Sequence, residues 1–386
     1  MKGLHNIIEI FVRELHRTLF DEGVLVFFLI VPIIYPVLYS FLYGNEVVRE
    51  VPTVVVDNCN SQLSREFLRK VDATHDVKII GHCADMREAV ELIHRRKAYG
   101  LIYIPREFEK RIIDLQQSTI EVYSDMSGIL YYKAVYSSCT EVSLAMNKEI
   151  KAQRMPGATE QQISTFQYPI EYKYTPLFNT QSGFATFMIP GILMLVVQQT
   201  MLLGVGMLAG DERENRRKGI YFDYLVNKYP IEIITGKSLA YFMFYLLISV
   251  YLCCIVPQLF GLIHIWKWKE LLILMISYVA ACTFFCITLS FAAHDREVFI
   301  ILFIFMSVPL IFMSGISWPT CAMPKFWRCF AWLFPSTFGI KGFLKINNMG
   351  VSMPEVFRDI WSLWLQVAGY FTLAYIVCKR TYSKKY

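Results

Sequence analysis

Long apolar runs, separated by charged segments, constrain the fold of this chain more than any other feature. Each run is close to the about 20 apolar residues that a helix needs to cross the roughly 30 Å hydrocarbon core of a bilayer. Charged residues make up only 18% of the chain, below the about 25% that is typical of soluble proteins. We predict a polytopic α-helical membrane protein with six spans, at residues 24–43, 184–209, 238–260, 271–293, 298–317 and 361–378.

Residues 1–23 precede the first span and have the pattern of an amphipathic helix. We expect this helix to lie along the membrane interface. Its apolar face carries Ile8, Phe11, Val12, Leu15 and Leu19.

Residues 44–183 have the composition of a soluble domain inserted between the first two spans. Runs typical of strands alternate with helical segments, which predicts a small α/β domain with a largely parallel sheet. The predicted strands are residues 52–57, 76–81, 100–105, 118–125 and 169–174, and the predicted helices are residues 61–72, 84–96 and 129–154.

Lys and Arg residues predict the orientation in the membrane. Fourteen of them flank the spans on the side of both termini, against seven in the short loops on the other side. The side with more basic residues is normally cytoplasmic. We therefore predict cytoplasmic termini, including the tail at residues 379–386, and an extracytoplasmic α/β domain. Because these residues flank apolar runs and form no stripe, nucleic-acid binding is not predicted.

A charged segment at residues 210–237 joins the second and third spans. It carries Tyr221, Phe222, Tyr224 and Leu225 at its centre, as would a short amphipathic helix that docks on a soluble partner. The alternative is a solvated loop whose basic residues only fix the orientation.

Residues 318–358 separate the last two spans and are too aromatic for an ordinary loop. Their apolar run is interrupted by Pro319, Pro324, Pro335 and Gly339. We predict an extracytoplasmic re-entrant hairpin, because irregular backbone at membrane depth must be covered by protein or line a cavity. An interfacial aromatic belt is the alternative.

The sequence contains no motif for catalysis, cofactor binding or metal binding. Around the Gly-Lys pair at Gly236 and Lys237, the glycine that a phosphate loop needs is replaced by Ile231. H-E-x-x-H, G-x-S-x-G and C-x-x-C motifs are absent from the sequence. We therefore expect no bound cofactor, no metal and no catalytic residue in this chain.

Two cysteine pairs are candidate disulfides. Cys59 and Cys83 follow the first two predicted strands at equivalent positions, and adjacent parallel strands could bring them into bonding range in an oxidising compartment. Cys321 and Cys329 are a second candidate pair, in the predicted hairpin region.

Two motifs resemble those of a known family, the type-2 ABC exporter permeases, in the subgroup with a large extracytoplasmic domain between spans one and two. The first is the loop pattern E-R-E, G-T, L-L, P and G-K. It is matched by Glu212, Arg213, Glu214, Gly219, Leu225, Pro230, Gly236 and Lys237. The second is S-G, P, M-P and P-x-T, matched by Ser314, Gly315, Pro319, Met323, Pro324, Pro335 and Thr337. Ile220 departs from the family's usual Thr, and the residues NRRK before Gly219 lengthen the loop.

This resemblance implies a half-transporter in a bacterial inner membrane. Two permease chains, identical or different, would pair, and each would seat its cytoplasmic loop in a separate ATP-binding cassette subunit that binds ATP and Mg²⁺. The coupling residues implied are Glu212, Arg213, Glu214, Gly219, Tyr224, Leu225, Pro230 and Lys237, with residues 1–23 and 294–297 as secondary contacts. The substrate path implied at the dimer interface contains Phe187, Met188, Met194, Gln198, Phe305, Pro309, Phe312 and Met313.

The expected function is efflux of hydrophobic or amphipathic molecules such as drugs, lipids or peptides. The α/β domain would meet a periplasmic adaptor protein or gate release. The alternative is a membrane-anchored receptor or assembly scaffold without transport activity. A neighbouring gene for an ATP-binding subunit would favour export.

Overall fold

The computed structural model describes residues 2–44, 47–154, 157, 159, 161–162, 165, 175–180, 183–220, 222–225, 228–265, 267–292 and 296–383. The chain divides into two compact units. One consists of Met1–Glu46 and Pro176–Tyr386, and the other is Val47–Thr175. The first unit begins with helix α1 (Lys2–Phe20), followed by α2 (Glu22–Leu42).

Within the described residues of the unit Val47–Thr175, four strands form one sheet. The strands β1 (Val51–Asp57), β2 (Val77–His82), β3 (Gly100–Ile104) and β4 (Glu121–Ser124) lie in the order β2-β1-β3-β4. β1 pairs in parallel with β2 and β3, and β4 is antiparallel to β3. The helices are α3 (Gln62–Asp72), α4 (Met86–His94), α5 (Phe108–Ile113) and α6 (Ile129–Arg154). The strand predicted at residues 169–174 lies outside the described residues.

The sheet buries apolar residues on both faces, because successive side chains of a strand point in opposite directions. On one face, Val55 of β1 packs with Phe67 of α3 and Val135 of α6. On the other, Val54 packs with Ala89 of α4.

The predicted disulfides are not present, since all four cysteines are free thiols. Cys59 packs with the residues on the α3 and α6 face of the sheet, whereas Cys83 packs on the α4 face. The sheet therefore separates the two thiols. Cys321 lies in a 3₁₀ turn, and Cys329 lies in the next helix, which starts after Pro324.

The second half of the helical unit contains α7 (Phe184–Arg217), α8 (Pro230–Leu259), α9 (Trp268–Ala292), α10 (Arg296–Met313), α11 (Lys325–Ala331), α12 (Pro335–Asn347) and α13 (Met353–Ser383). Among the described residues, six helices are long and apolar enough to cross a membrane: α2, α7, α8, α9, α10 and α13. They overlap the six predicted spans. In the region predicted as a re-entrant hairpin, α11 and α12 are two short helices, and most of α12 is buried.

The helix α7 occupies the centre of this unit and packs against α2, α9, α10 and α12. Glycines allow the closest approaches. A Cβ at Gly204 would lie 1.8 Å from the Phe28 ring, and one at Gly206 would lie 2.1 Å from the Phe299 ring. Any larger residue at these positions would push α2 or α10 away from α7.

Among the described spanning helices, two contain a π-helical turn that ends two residues before a proline. In α2 the turn is Val26–Ile30, and Pro32 has no N–H to donate to the Phe28 carbonyl. In α8 the turn is Tyr251–Ile255, just before Pro257. Because a proline removes one hydrogen bond of the helix, a locally widened turn accommodates the loss.

The boundaries of α7 and α8 differ from the prediction. The helix α7 continues to Arg217 instead of ending at residue 209, and α8 begins at Pro230 instead of residue 238. The connection between them is therefore residues 218–229 rather than 210–237. The polar ends of both helices stay helical because their charged side chains have buried partners, described below.

Candidate functional site

The site predicted from the charged segment begins on α1, whose polar side is buried. Ile10, Glu14 and Thr18 form a buried stripe with helical spacing, and α1 packs against α8. The apolar face is left outward, with Ile8 51% and Val12 55% exposed. An outward apolar face fits a helix that rests on lipid, while its polar face is free to form ion pairs within the chain.

The carboxylate of Glu14 joins three parts of the chain. It accepts a hydrogen bond from the Tyr224 hydroxyl at 3.0 Å and another from the Tyr241 hydroxyl of α8. The Lys237 ammonium lies 3.5 Å from the same carboxylate. Glu14 is fully buried, so these partners replace the water that a charged carboxylate would otherwise need.

Lys237 also joins α8 to the end of α7. Its Nζ donates to Glu212 Oε2 at 2.5 Å, and the other carboxylate oxygen of Glu212 is 3.2 Å from Arg216. Arg213 donates to the Ser290 carbonyl of α9 at 2.6 Å. The end of α7 is thus held by charge-assisted hydrogen bonds to two other helices.

Arg17 of α1 forms the second half of the same network. It donates to Asp211 at 2.8 Å and to the Tyr224 hydroxyl at 3.1 Å, and it lies 4.3 Å from the centre of the Phe222 ring. Asp211 also pairs with Arg296 of α10. We call Glu14, Arg17, Asp211, Glu212, Tyr224, Lys237, Tyr241 and Arg296 the buried ion network. Its centre is buried, and Asp211 and Arg296, whose side chains are 22% and 32% exposed, lie at its edge.

The protonation states outside the spans follow from these contacts. Burial acts to lower the pKa of Arg17, but the charge of Glu14 and the contact with Tyr224 raise it well above its ordinary value. Burial and the charge of Glu14 raise the pKa of Tyr224. Arg17 therefore stays charged and Tyr224 stays a neutral hydrogen-bond donor at physiological pH.

The connection itself has an exposed part and a buried part. Lys218, Gly219 and Ile220 are exposed, as is Arg217, the last residue of α7. Gly219 has a φ of +80°, so α7 ends in the left-handed conformation that glycine adopts easily. The turn Asp223–Leu225 is 3₁₀-helical.

The buried part of the connection packs against α1. Tyr224 and Leu225 form a small core with Ile10 and Ile233. The segment then returns to the surface at Tyr229 (72% exposed).

The coupling residues that the resemblance implies differ in burial. Glu212, Tyr224, Leu225 and Lys237 are buried and contact other helices of this chain. Gly219 is exposed, Arg213 and Glu214 are half-buried, and Pro230 is the first residue of α8. The buried four can position the connection but cannot form its outer surface. Of residues 294–297, the first two lie outside the described residues.

The residues predicted for a substrate path differ in burial. Met194, Gln198 and Met313 are buried within the chain, and Gln198 accepts a hydrogen bond of 2.7 Å from the Ser336 backbone N–H. Met188 is partly buried. The exposed members are Phe187, Phe305, Pro309 and Phe312.

Sequence reasoning did not single out Glu14, Arg17, Asp211 or Tyr241. The first three lie within segments 1–23 and 210–237, which it assigned to coupling, and Tyr241 lies outside them. Two pairs of residues in the sequence have spacings that could have indicated this site. Glu14 and Arg17 are three residues apart, and Lys237 and Tyr241 are four apart, so each pair shares one face of a helix. Lysine together with tyrosine near the end of an apolar helix indicates a buried partner, here the carboxylate of α1.

The described residues contain no group of three or more His, Cys, Asp or Glu side chains arranged to hold a metal ion. The network therefore consists of ion pairs and hydrogen bonds between protein groups. Such a network can transmit a displacement from one helix to another.

Comparison with known proteins gives the family. Residues 23–376 match the family model described as ABC-2 family transporter protein. No curated protein matches the chain significantly. The matched range covers most of the chain, including all of α7 to α12 with the connection at residues 218–229. The chain belongs to the ABC-2 transporter family.

Proposed function

We propose that this chain is the permease subunit of an ATP-driven exporter, in which ATP is hydrolysed by a separate ATP-binding cassette subunit. The observation that carries the proposal is the buried ion network. It ties α1, the connection, the end of α7 and the start of α8 into one block, so a displacement of the connection moves two spans together. Buried ion pairs give such a block a specific geometry, since separating them would expose unpaired charges.

The exposed part of the connection is the proposed docking surface for the ATP-binding subunit. Ile220 is 55% exposed, Tyr229 is 72% exposed and Ile231 at the start of α8 is 49% exposed. Arg217 and Lys218 add positive charge beside them. Apolar side chains rimmed by charge are typical of protein interfaces.

The proposed assembly contains two permease chains, identical or different, and two ATP-binding subunits. The connection and the termini would face the cytoplasm of a bacterium, and Val47–Thr175 would lie outside the inner membrane, where an adaptor protein could bind. Support comes from the excess of basic residues beside the connection and termini. The proposed substrates are hydrophobic or amphipathic, because the chain is 15% aromatic and has 16 Met, with few charged residues in its spans.

The first test is ATPase stimulation. The permease is co-purified with its ATP-binding subunit in lipid nanodiscs, and ATP hydrolysis is compared with that of the subunit alone. We expect Ile220→Asp to remove the stimulation, because it places a charge in an apolar contact. The matched control is Ile113→Asp in α5, which replaces an isoleucine that is 68% exposed and should leave the stimulation unchanged. Normal stimulation by Ile220→Asp would place the docking surface elsewhere.

The second test is transport. Inverted membrane vesicles containing the complex are supplied with ATP and fluorescent lipid, drug or peptide, and uptake is measured. ATP-dependent uptake that disappears with Ile220→Asp supports export. An assembled complex that hydrolyses ATP but moves none of these molecules would favour the receptor or scaffold function instead.

A further inference from the structure

The turn that follows α10 contains the first residues of the second sequence motif, which the proposed coupling does not involve. Gly315 lies in this turn with a φ of +91°, a conformation that other residues rarely adopt. A Cβ at Gly315 would lie 2.6 Å from Thr320 Cγ2 and 3.8 Å from Lys341 Cε. The turn therefore lies directly against the side chain of Lys341, which belongs to α12.

The ammonium group of Lys341 has no partner within the described part of the chain. Lys341 is half-buried, yet none of the described residues accepts a hydrogen bond from it or forms an ion pair with it. Withdrawing an ammonium group from water without an acceptor is unfavourable. An anionic partner from outside the chain would supply the missing acceptor.

The charged groups around Lys341 do not neutralise it. Lys345, one helical turn further along α12, pairs with the buried Asp359 of α13 at 2.7 Å, so the charge of this acid is already matched. Burial lowers the pKa of Lys341, Asp359 acts to raise it, and the charges of Lys345 and Arg358 act to lower it. Lys341 therefore lies in a cluster of three cations around one acid.

The other acid of this region does not remove the excess of positive charge. Glu355 belongs to the first turn of α13, and its backbone carbonyl lies 3.3 Å from the Lys345 ammonium. The Glu355 carboxylate accepts a hydrogen bond of 2.8 Å from the Ser352 backbone N–H. Even with Glu355 included, three cations face two acids among the described residues, and the cation without a partner is half-buried.

We propose that Lys341, with Lys345 and Arg358 beside it, binds a phosphate group. A phosphate has several acceptor oxygens, and its hydrogen bonds to an ammonium group are strengthened by charge. In the proposed topology this end of α10 is extracytoplasmic, so the phosphate would belong either to a phospholipid headgroup or to a soluble molecule. Binding needs no ATP and no second subunit, so the inference does not rest on the proposed function.

The first test asks whether a phosphate covers Lys341. The purified full-length chain in phosphatidylcholine nanodiscs is treated briefly with acetic anhydride, which acetylates uncovered, unprotonated lysines, and peptide mass spectrometry measures each lysine. The chloride buffer is compared with inorganic phosphate at equal ionic strength, and with phosphatidylglycerol nanodiscs in chloride.

We expect acetylation of Lys341 to fall about ten-fold in at least one of these two conditions, the ratio expected for a charge-assisted hydrogen bond. The fall is measured relative to Lys269, an exposed lysine of α9, which gives the general effect of each condition on lysines. A fall with inorganic phosphate indicates a soluble ligand, and a fall with phosphatidylglycerol alone indicates a lipid headgroup.

The second test measures binding of the anion that protects Lys341, by equilibrium dialysis for phosphate or by native mass spectrometry for phosphatidylglycerol. Lys341→Gln removes the charge, and we expect about ten-fold weaker binding. Lys341→Arg keeps the charge and should retain most of the binding. The matched control Lys269→Gln removes the charge of an exposed lysine and should bind as the wild type does.

Equal acetylation of Lys341 with and without both anions, relative to Lys269, would overturn the proposal, as would unchanged binding by Lys341→Gln. If Lys341→Gln does not fold, the acetylation of the wild-type chain decides. Because the ATPase test depends on Ile220 and not on Lys341, the two proposals can fail separately.

Discussion

Lys237 donates a 2.5 Å hydrogen bond to Glu212, and this ion pair closes the connection between α7 and α8 at its base. The side chains are only 10% and 8% exposed. Both belonged to the motifs that carried the resemblance to the family, where their role would be contact with a partner. In the structure they hold the ends of the connection at a fixed separation, which is a positioning role.

Breaking this pair from one side should destabilise the helical unit. Lys237→Met removes the positive charge that α8 places on the buried Glu212 carboxylate, and we expect a loss of roughly 3 kcal/mol in the free energy of unfolding. The double variant Glu212→Gln, Lys237→Met removes both charges and should recover most of that loss. Thermal unfolding followed by tryptophan fluorescence in detergent measures all three proteins.

The comparison with the double variant is the informative one. A double variant as unstable as Lys237→Met would mean that the lysine acts through its packing or through Glu14, and not through the pair with Glu212.

The hydrogen bond between Tyr224 and Glu14 should control how firmly α1 is held. Tyr224→Phe removes a donor from a fully buried carboxylate, a change that costs about 1–3 kcal/mol. We expect faster hydrogen–deuterium exchange across α1 (Lys2–Phe20), while Tyr229→Phe, at an exposed tyrosine, should leave the exchange unchanged. Unchanged protection of α1 in Tyr224→Phe would show that Ile10 and the other ion pairs hold α1 without this bond.

How much could be foreseen from the sequence depends on the kind of feature. Apolar runs and alternating patterns predicted the six spanning helices and the sequence positions of β1 to β4, because they depend on local periodicity. The partners of Glu14 could not be predicted, since Tyr224 and Tyr241 are more than 200 residues away along the chain. The extension of α7 to Arg217 was also missed. A run of charged residues usually indicates the end of a span, and the buried partners that keep this run helical could not be predicted.

The membrane orientation can be tested with reporter cysteines. Ser127→Cys in the α/β unit and Lys218→Cys in the connection place new thiols on the two predicted sides. In intact cells, a membrane-impermeant maleimide should label the first and not the second, relative to background labelling in the parent chain. Labelling of Lys218→Cys from outside would reverse the proposed topology and exclude docking of a cytosolic subunit on the connection.

The thiol of Cys139 should be nearly inert while the α/β unit is folded. Burial raises the pKa of Cys139 to about 12, whereas an ordinary thiol has a pKa of about 8.5. Maleimide reacts with the thiolate. At pH 8, the thiolate fraction should therefore be about two-thousand-fold lower for Cys139 than for an ordinary thiol.

The same pKa sets the sign of a pH effect on folding. The unfolded thiol ionises above about pH 8.5, while the folded thiol keeps its proton until the pH approaches about 12. The contribution of Cys139 to stability is therefore complete below pH 8.5 and is lost as the pH rises towards 12.

Peptide mass spectrometry after brief maleimide treatment should find Cys321 modified and Cys139 unmodified at pH 8, and both modified in urea. Equal native labelling would mean that α6 does not pack on the sheet as described.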